Sequence, residues 1–136
     1  MDRTGVVCLM VHIADQIAEL ENELFDNAFN EHTLRKEIEA GWGFAYEMDG
    51  KYVGYVLVRT VHGLSDIIRL GVTKDYQGKG IGEDLLGCVL EAGGEFMLFV
   101  RKNNERAINL YKKYGFEVRG MTEDSWLMRR RATSDG

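Results

Sequence analysis

Gly78, Gly80 and Gly82, three glycines in five positions of "DYQGKGIGEDLL" (75–86), stand directly ahead of apolar residues at helical spacing. A helix that opens with so little side-chain bulk presents unpaired backbone N–H groups at the positive end of its dipole. That arrangement suits an anion, a phosphate above all. Tight turning and close packing account poorly for the glycines, because each costs about 1 kcal/mol where helix is wanted. Two common phosphate loops do not fit the spacing. A mononucleotide loop needs glycine at the position of Thr73 and Ser or Thr at that of Gly80. A dinucleotide fingerprint starting at Gly78 needs a third glycine where Glu83 stands, and it follows a parallel unit rather than a hairpin.

The elements that must hold this loop follow from periodicity and turn chemistry. "VVCLMV" (6–11) reads as a short strand covered on both faces. Ile17, Leu20, Leu24 and Phe25 then fall at helical spacing, and Asn30 caps a second helix that carries Leu34 and Ile38 and ends at Gly41. "WGFAYEM" and "KYVGYVLVRTV" flank an Asp-Gly pair, the signature of a two-residue hairpin. A turn at "HGLS" leads into "DIIRLGV", where alternation puts Ile68, Leu70 and Val72 on one face and Ile67, Arg69 and Gly71 on the other. Ile81, Leu85, Leu86, Val89 and Leu90 follow as a helix until Gly93 and Gly94. "FMLFV" is a buried strand. Asn103 or Asn104 caps the helix "ERAINLYKKY", Gly115 ends it, and "FEVRG" and "SWLMR" are the last strands. This order predicts an α/β (α+β) fold, one domain over 1–136 with helices packed on a mixed sheet.

A chain of 136 residues is long enough for one real core and short for two. Its 45% hydrophobic and 29% charged residues are ordinary for a globular protein. No apolar run approaches the roughly 20 residues that span a bilayer, and "MDRTGVVCLMV" is too brief for a secretory signal, so a cytoplasmic, membrane-free protein is expected. The net charge of -5 weighs against a nucleic-acid partner, with "RRR" at 129–131 read as a solvated strand end. Cys8 and Cys88 lack the spacing of a metal or redox motif, so buried thiols and no metal site are expected.

The glycine loop resembles that of the GNAT superfamily of N-acetyltransferases: Gln or Arg, two residues, Gly, one residue, Gly or Ala. Gln77, Gly80 and Gly82 fit it, with Tyr76 in front and Ile81 between the glycines. "NNERAINLYKKYGFE" (103–117) is similar to the second family signature, an Asn followed by Ala-Ile, Leu-Tyr and Gly-Phe. "ENELFDNAFNEHTL" (21–34) resembles the first two helices of the subgroup that acetylates protein N-termini, which includes the ribosomal-protein acetyltransferase. The resemblance implies a mostly antiparallel sheet of six or seven strands with four helices, splayed after the fourth strand to admit acetyl-CoA. The implied partner is an amine acceptor, a protein N-terminus or a small molecule, held by loops at Phe25–Thr33 and His62–Ser65.

The same resemblance implies roles for individual residues. Amides from Gln77, Gly78, Lys79, Gly80, Ile81 and Gly82 hold the cofactor's pyrophosphate, helped by the Gln77 and Lys79 side chains, while Leu70, Gly71 and Val72 bond its pantetheine arm. Asn104 either meets the cofactor or caps its helix. Lys113 either reaches a phosphate or is solvated. Tyr111 stands at the position of the general acid, with Ala107, Leu110 and Tyr114 beside it as the plain inner face of a helix, and a free phenol is near enough to a thiol in pKa for balanced transfer. A backbone N–H on the strand ending at Val72 is the implied oxyanion donor.

For a base, Asp66 falls, counted back from the loop, where histone-type members carry a glutamate, and it lies in line with Ile68 and Leu70, where burial raises its pKa. Glu47 and His62 are weaker candidates. Phe99 occupies the position of a glutamate common in the ribosomal-protein subgroup. Deprotonating a lysine-like amine of pKa about 10.4 at pH 7 costs roughly 4.6 kcal/mol, an α-amine near 7.8 only about 1.1. A chain with no secure base is matched to the second.

Overall fold

The computed structural model of the chain describes residues 5–132. Seven strands and four helices follow the predicted order: β1 (Gly5–Cys8), α1 (Ala14–Leu24), α2 (Glu31–Ala40), β2 (Trp42–Met48), β3 (Lys51–Val61), β4 (Leu64–Val72), α3 (Ile81–Leu90), β5 (Glu95–Arg101), α4 (Glu105–Lys113), β6 (Glu117–Met121) and β7 (Ser125–Arg130). Local chemistry sets most boundaries. Asp49 and Gly50, with φ of 55° and 77°, make the tight turn between β2 and β3. Asn30 Oδ1 accepts from Thr33 N at 2.8 Å and so caps α2.

The strands form one sheet in the order β1-β2-β3-β4-β5-β7-β6. All neighbours are antiparallel except β4 and β5. That parallel pair has only three rungs, Leu64–Glu95, Ser65–Phe96 and Asp66–Met97. Beyond them β4 continues to Val72 and β5 to Arg101 without pairing, so the sheet forks, as expected of this fold.

Helices cover both faces. Ile17, Leu20, Leu34 and Ile38 from α1 and α2 pack on Ala45, Tyr55 and Leu57, while α3 and α4 bury Leu85, Leu86, Val89 and Ile108 against Val56, Phe96 and Leu98. Burying a Leu, Ile or Phe side chain is worth about 1.5–3 kcal/mol, so these two clusters dominate the favourable side of folding.

Four expectations change. β1 is shorter than the apolar run that predicts it, because the chain turns after Leu9 into a 3₁₀ turn (Val11–Ile13) that buries Leu9 and Ile13 in the α1–α2 cluster. β1 is therefore an edge strand, and Cys8 is exposed rather than a buried thiol; Cys88 is half-buried. In β4, Leu57 faces Arg69 and Val58 faces Ile67, so Ile68 is an extra residue, a bulge. The bulge breaks the expected alternation, and Ile67 joins Leu70 and Val72 on the α3 side. Of the "RRR" triplet, only Arg131 is exposed: Arg129 pairs with Glu95 at 2.7 Å and Arg130 Nε donates to the Tyr114 carbonyl at 2.9 Å.

Candidate active site

At the fork the structure opens a cavity of about 570 Å³, within the range of small-molecule sites. Its walls are the end of β4 (Leu70, Gly71, Val72), the head of α3, the inner face of α4, and Leu24 with Phe25 from the end of α1.

The head of α3 is built as the sequence predicts. Gly80 adopts the left-handed conformation at φ 83°, which a residue with a Cβ takes up only at a cost of about 1–2 kcal/mol, and from there the helix starts at Ile81. The first helical bond at this end runs from Asp84 N to Gly80 O at 3.0 Å. Among the described residues, the six amides from Gly78 to Glu83 find no acceptor in the protein. Gly78, Gly80, Ile81, Gly82 and Glu83 all line the cavity. Unpaired amides at a helix N-terminus facing a cavity form a cradle that an anion fits.

β4 contributes a second set of backbone groups. Thr73 N donates to Val53 O at 2.8 Å, so alternation commits the N–H groups of Gly71 and Arg69 to β3. Leu70 and Val72 accordingly direct theirs into the fork, where β5 has left. The Val72 carbonyl points the same way, for it accepts from Gln77 Nε2 at 3.0 Å.

The side chains divide differently from the prediction. Gln77 is spent inside the protein, since its Oε1 also accepts from Arg106 Nη1 at 2.9 Å. Lys79 is exposed and does not line the cavity. Lys113 lines it but is bound to Glu83 at 2.9 Å, and Tyr114 donates to the same carboxylate at 3.3 Å. The hydrogen bond from Lys113 holds the Glu83 carboxyl below its ordinary range. Asn104 caps α4, its Oδ1 accepting from Ala107 N at 3.2 Å, and lines the cavity as well, so its two roles are compatible. Arg106 is the residue that sequence reading missed. It falls at i, i+4, i+7 with Leu110 and Lys113 on the lining face of α4, a spacing that marks it.

Tyr111 reaches the cavity from α4 with only 7% exposure, its ring 5.7 Å from that of Phe116. Burial pushes its phenol up to about 12, away from the balanced exchange with a thiol that a free phenol offers. Its hydroxyl makes no hydrogen bond among the described residues. Asp66 is not brought to the site. The bulge at Ile68 puts it out of phase with Leu70, and it sits half-buried at the last parallel rung, where desolvation raises its pKa. His62 and Ser65 belong to the opposite end of β4, so the loop at 62–65 forms no wall of the cavity; Glu47 and the 54%-exposed Phe99 lie outside it too.

The "Acetyltransferase (GNAT) family" model matches residues 14–116 of the chain. The chain belongs to the GNAT acetyltransferase family. Among relatives, an N-alpha-acetyltransferase of Sulfurisphaera tokodaii is 36% identical over 125 residues, covering 74% of this chain and 73% of its own. The uncharacterized protein ML0378 of Mycobacterium leprae is longer: at 32% identity the match covers 87% of this chain but 38% of that protein. In structure, Arabidopsis thaliana Naa50, solved in complex with the bisubstrate analogue CoA-Ac-MVNAL, superimposes with a TM-score of 0.80 at 27% identity over 93% of this chain and 98% of that one. This GNAT member thus carries the family's forked sheet with its cavity in the fork. Among the described residues no helix is long and apolar enough to cross a membrane, and no cluster of metal-binding side chains occurs.

Proposed function

We propose that the chain transfers the acetyl group of acetyl-CoA to the α-amine at a protein or peptide N-terminus, by direct attack in a ternary complex in the cytoplasm. The observation that carries the reading is the row of unpaired amides from Gly78 to Glu83 opening onto the same cavity as Tyr111. Its size and its apolar β4 wall suit the long arm of the cofactor, and its amide cradle and Arg106 suit the diphosphate.

When bound, the thioester supplies an acetyl carbonyl open to attack by a neutral amine. The Val72 N–H, directed into the fork, polarises that carbonyl as negative charge grows on its oxygen. Tyr111 keeps its proton throughout neutral pH and donates a hydrogen bond to the sulfur as the C–S bond breaks. The amine's excess proton leaves to water, for among the described residues the cavity wall holds no histidine and its one carboxylate, Glu83, is tied to Lys113. That lack is the physical reason for an α-amine: it is already substantially neutral at pH 7, whereas a lysine costs several kcal/mol more. Neither Cys8 nor Cys88 lines the cavity, which supports direct attack over a covalent carrier.

Calorimetry with coenzyme A and thiol release against a panel of peptides and polyamines test this. Binding together with acetylation of peptide α-amines is expected. Absence of binding overturns the reading, binding without release on any acceptor marks a non-catalytic module, and transfer to polyamines alone marks a small-molecule enzyme.

A further inference from the structure

We propose that Arg69 is a positioning residue: clamped to the buried carboxylate of Glu21, it fixes the loop between α1 and α2 as the acceptor wall of the cleft. The inference rests on the acetyl-transfer reading above. Glu21 is fully buried, and a carboxylate removed from water is costly unless each oxygen is partnered. Here it accepts from Phe29 N at 2.8 Å, from the Tyr55 hydroxyl and from Arg69 Nε at 3.1 Å. Arg69 extends the clamp into the loop. Its Nη2 donates to the Asn27 carbonyl at 3.4 Å, and its guanidinium packs on two rings, 4.8 Å from the centre of Phe25 and 4.2 Å from that of Phe29. One ion pair thus holds a backbone N–H, a backbone carbonyl and both aromatic side chains of a segment that is neither helix nor strand.

The clamp also ties the loop to the cofactor strand. Arg69 pairs with Leu57 and so faces α1, and two residues further on, a Cβ at Gly71 would lie 2.9 Å from Leu24 Cδ1 and 3.2 Å from Phe25 Cζ. Leu24 and Phe25 are therefore pressed against β4 where they wall the cleft that the head of α3 also lines. A buried ion pair is commonly no more stabilising than apolar residues of its size, so stability alone is a poor reason for this one. Geometry is a better one, since a displacement of about 1 Å in a reacting group costs about a hundredfold in rate.

Arg69→Lys keeps a positive charge for Glu21 and removes the planar fork that stacks and reaches Asn27. Hydrogen exchange over residues 25–30, Phe29 N–H included, is expected to quicken by about tenfold or more while α3 is unchanged. With a peptide acceptor, KM is expected to rise at least about fivefold, with coenzyme A affinity within about twofold of wild type. The double variant Glu21→Gln/Arg69→Met removes both charges together, so it avoids an unpaired buried ion and must show the same split. Unchanged loop exchange in both variants, or losses that fall equally on acceptor and cofactor, overturn the proposal. If the wild-type chain acetylates no peptide amine, the function above fails, and the exchange measurement still decides the clamp.

Discussion

Replacing Tyr111 by Phe removes one hydroxyl and nothing else that the protein uses. The ring packs on Phe116, and the hydroxyl has no partner among the described residues, so folding stability should stay within about 1 kcal/mol. The catalytic cost follows from the phenol's environment. With its pKa at about 12 against about 8.5 for a thiol, complete transfer of the proton is uphill by roughly 5 kcal/mol, so the phenol acts as a hydrogen-bond donor to the sulfur. A hydrogen bond to a charged group is worth about 1.5–3 kcal/mol, which sets the expected fall in kcat at about 10- to 150-fold. Single-turnover thiol release isolates the chemical step, and calorimetry with coenzyme A should show affinity within about twofold of wild type. The pH profile gives an independent reading. In the wild-type chain kcat/KM should climb through the α-amine pKa near 7.8 and stay level to about pH 10, because Tyr111 is still protonated there. A variant rate within about twofold of wild type, or a falling limb near pH 8.5 that vanishes in Tyr111→Phe, would refute the reasoning.

Asp66→Asn should leave kcat/KM within about threefold, since a working base contributes about a hundredfold or more and this carboxyl does not line the cleft. Desolvation raises its folded pKa, so the stability linked to it is complete below the ordinary carboxyl pKa and is lost as pH rises through the raised one; denaturant titrations of Asp66→Asn should lack that loss. Arg106→Ala should weaken coenzyme A binding by about tenfold with a shallower salt dependence, whereas Lys113→Ala, whose ammonium is already paired with Glu83, should change it by less than about threefold in calorimetry. Gly80→Ala forces a Cβ into the left-handed region, so thermal unfolding should register a loss of about 1–2 kcal/mol and calorimetry a parallel drop in cofactor affinity.

What depended on neighbours in the chain was legible in the sequence. The Asp49-Gly50 turn, the Asn30 cap and the glycine head of α3 are each encoded within a few residues, and the strands on either side of that turn lie where alternation puts them. What depended on distant partners was not. The Ile68 bulge is a matter of register between β3 and β4, and it alone moves Asp66 out of line with Leu70 and brings Ile67 onto the α3 face. Glu21 and Arg69 lie 48 residues apart, so nothing local sets that carboxylate apart from its acidic neighbours on α1. Gln77 and Lys113 fit a phosphate by type and spacing, yet the fold gives each a protein partner first.

The three-rung pairing of β4 with β5 leaves a strand border inside the molecule, where the Leu70 and Val72 N–H groups have no ladder partner. An extended substrate laid along such a border is gripped by main chain alone, which is blind to the identity of its residues. On the function proposed above, discrimination between acceptors falls to the segment at 25–30, and a graft there that keeps Leu24 and Phe25 against β4 is expected to change acceptor choice while coenzyme A affinity is held.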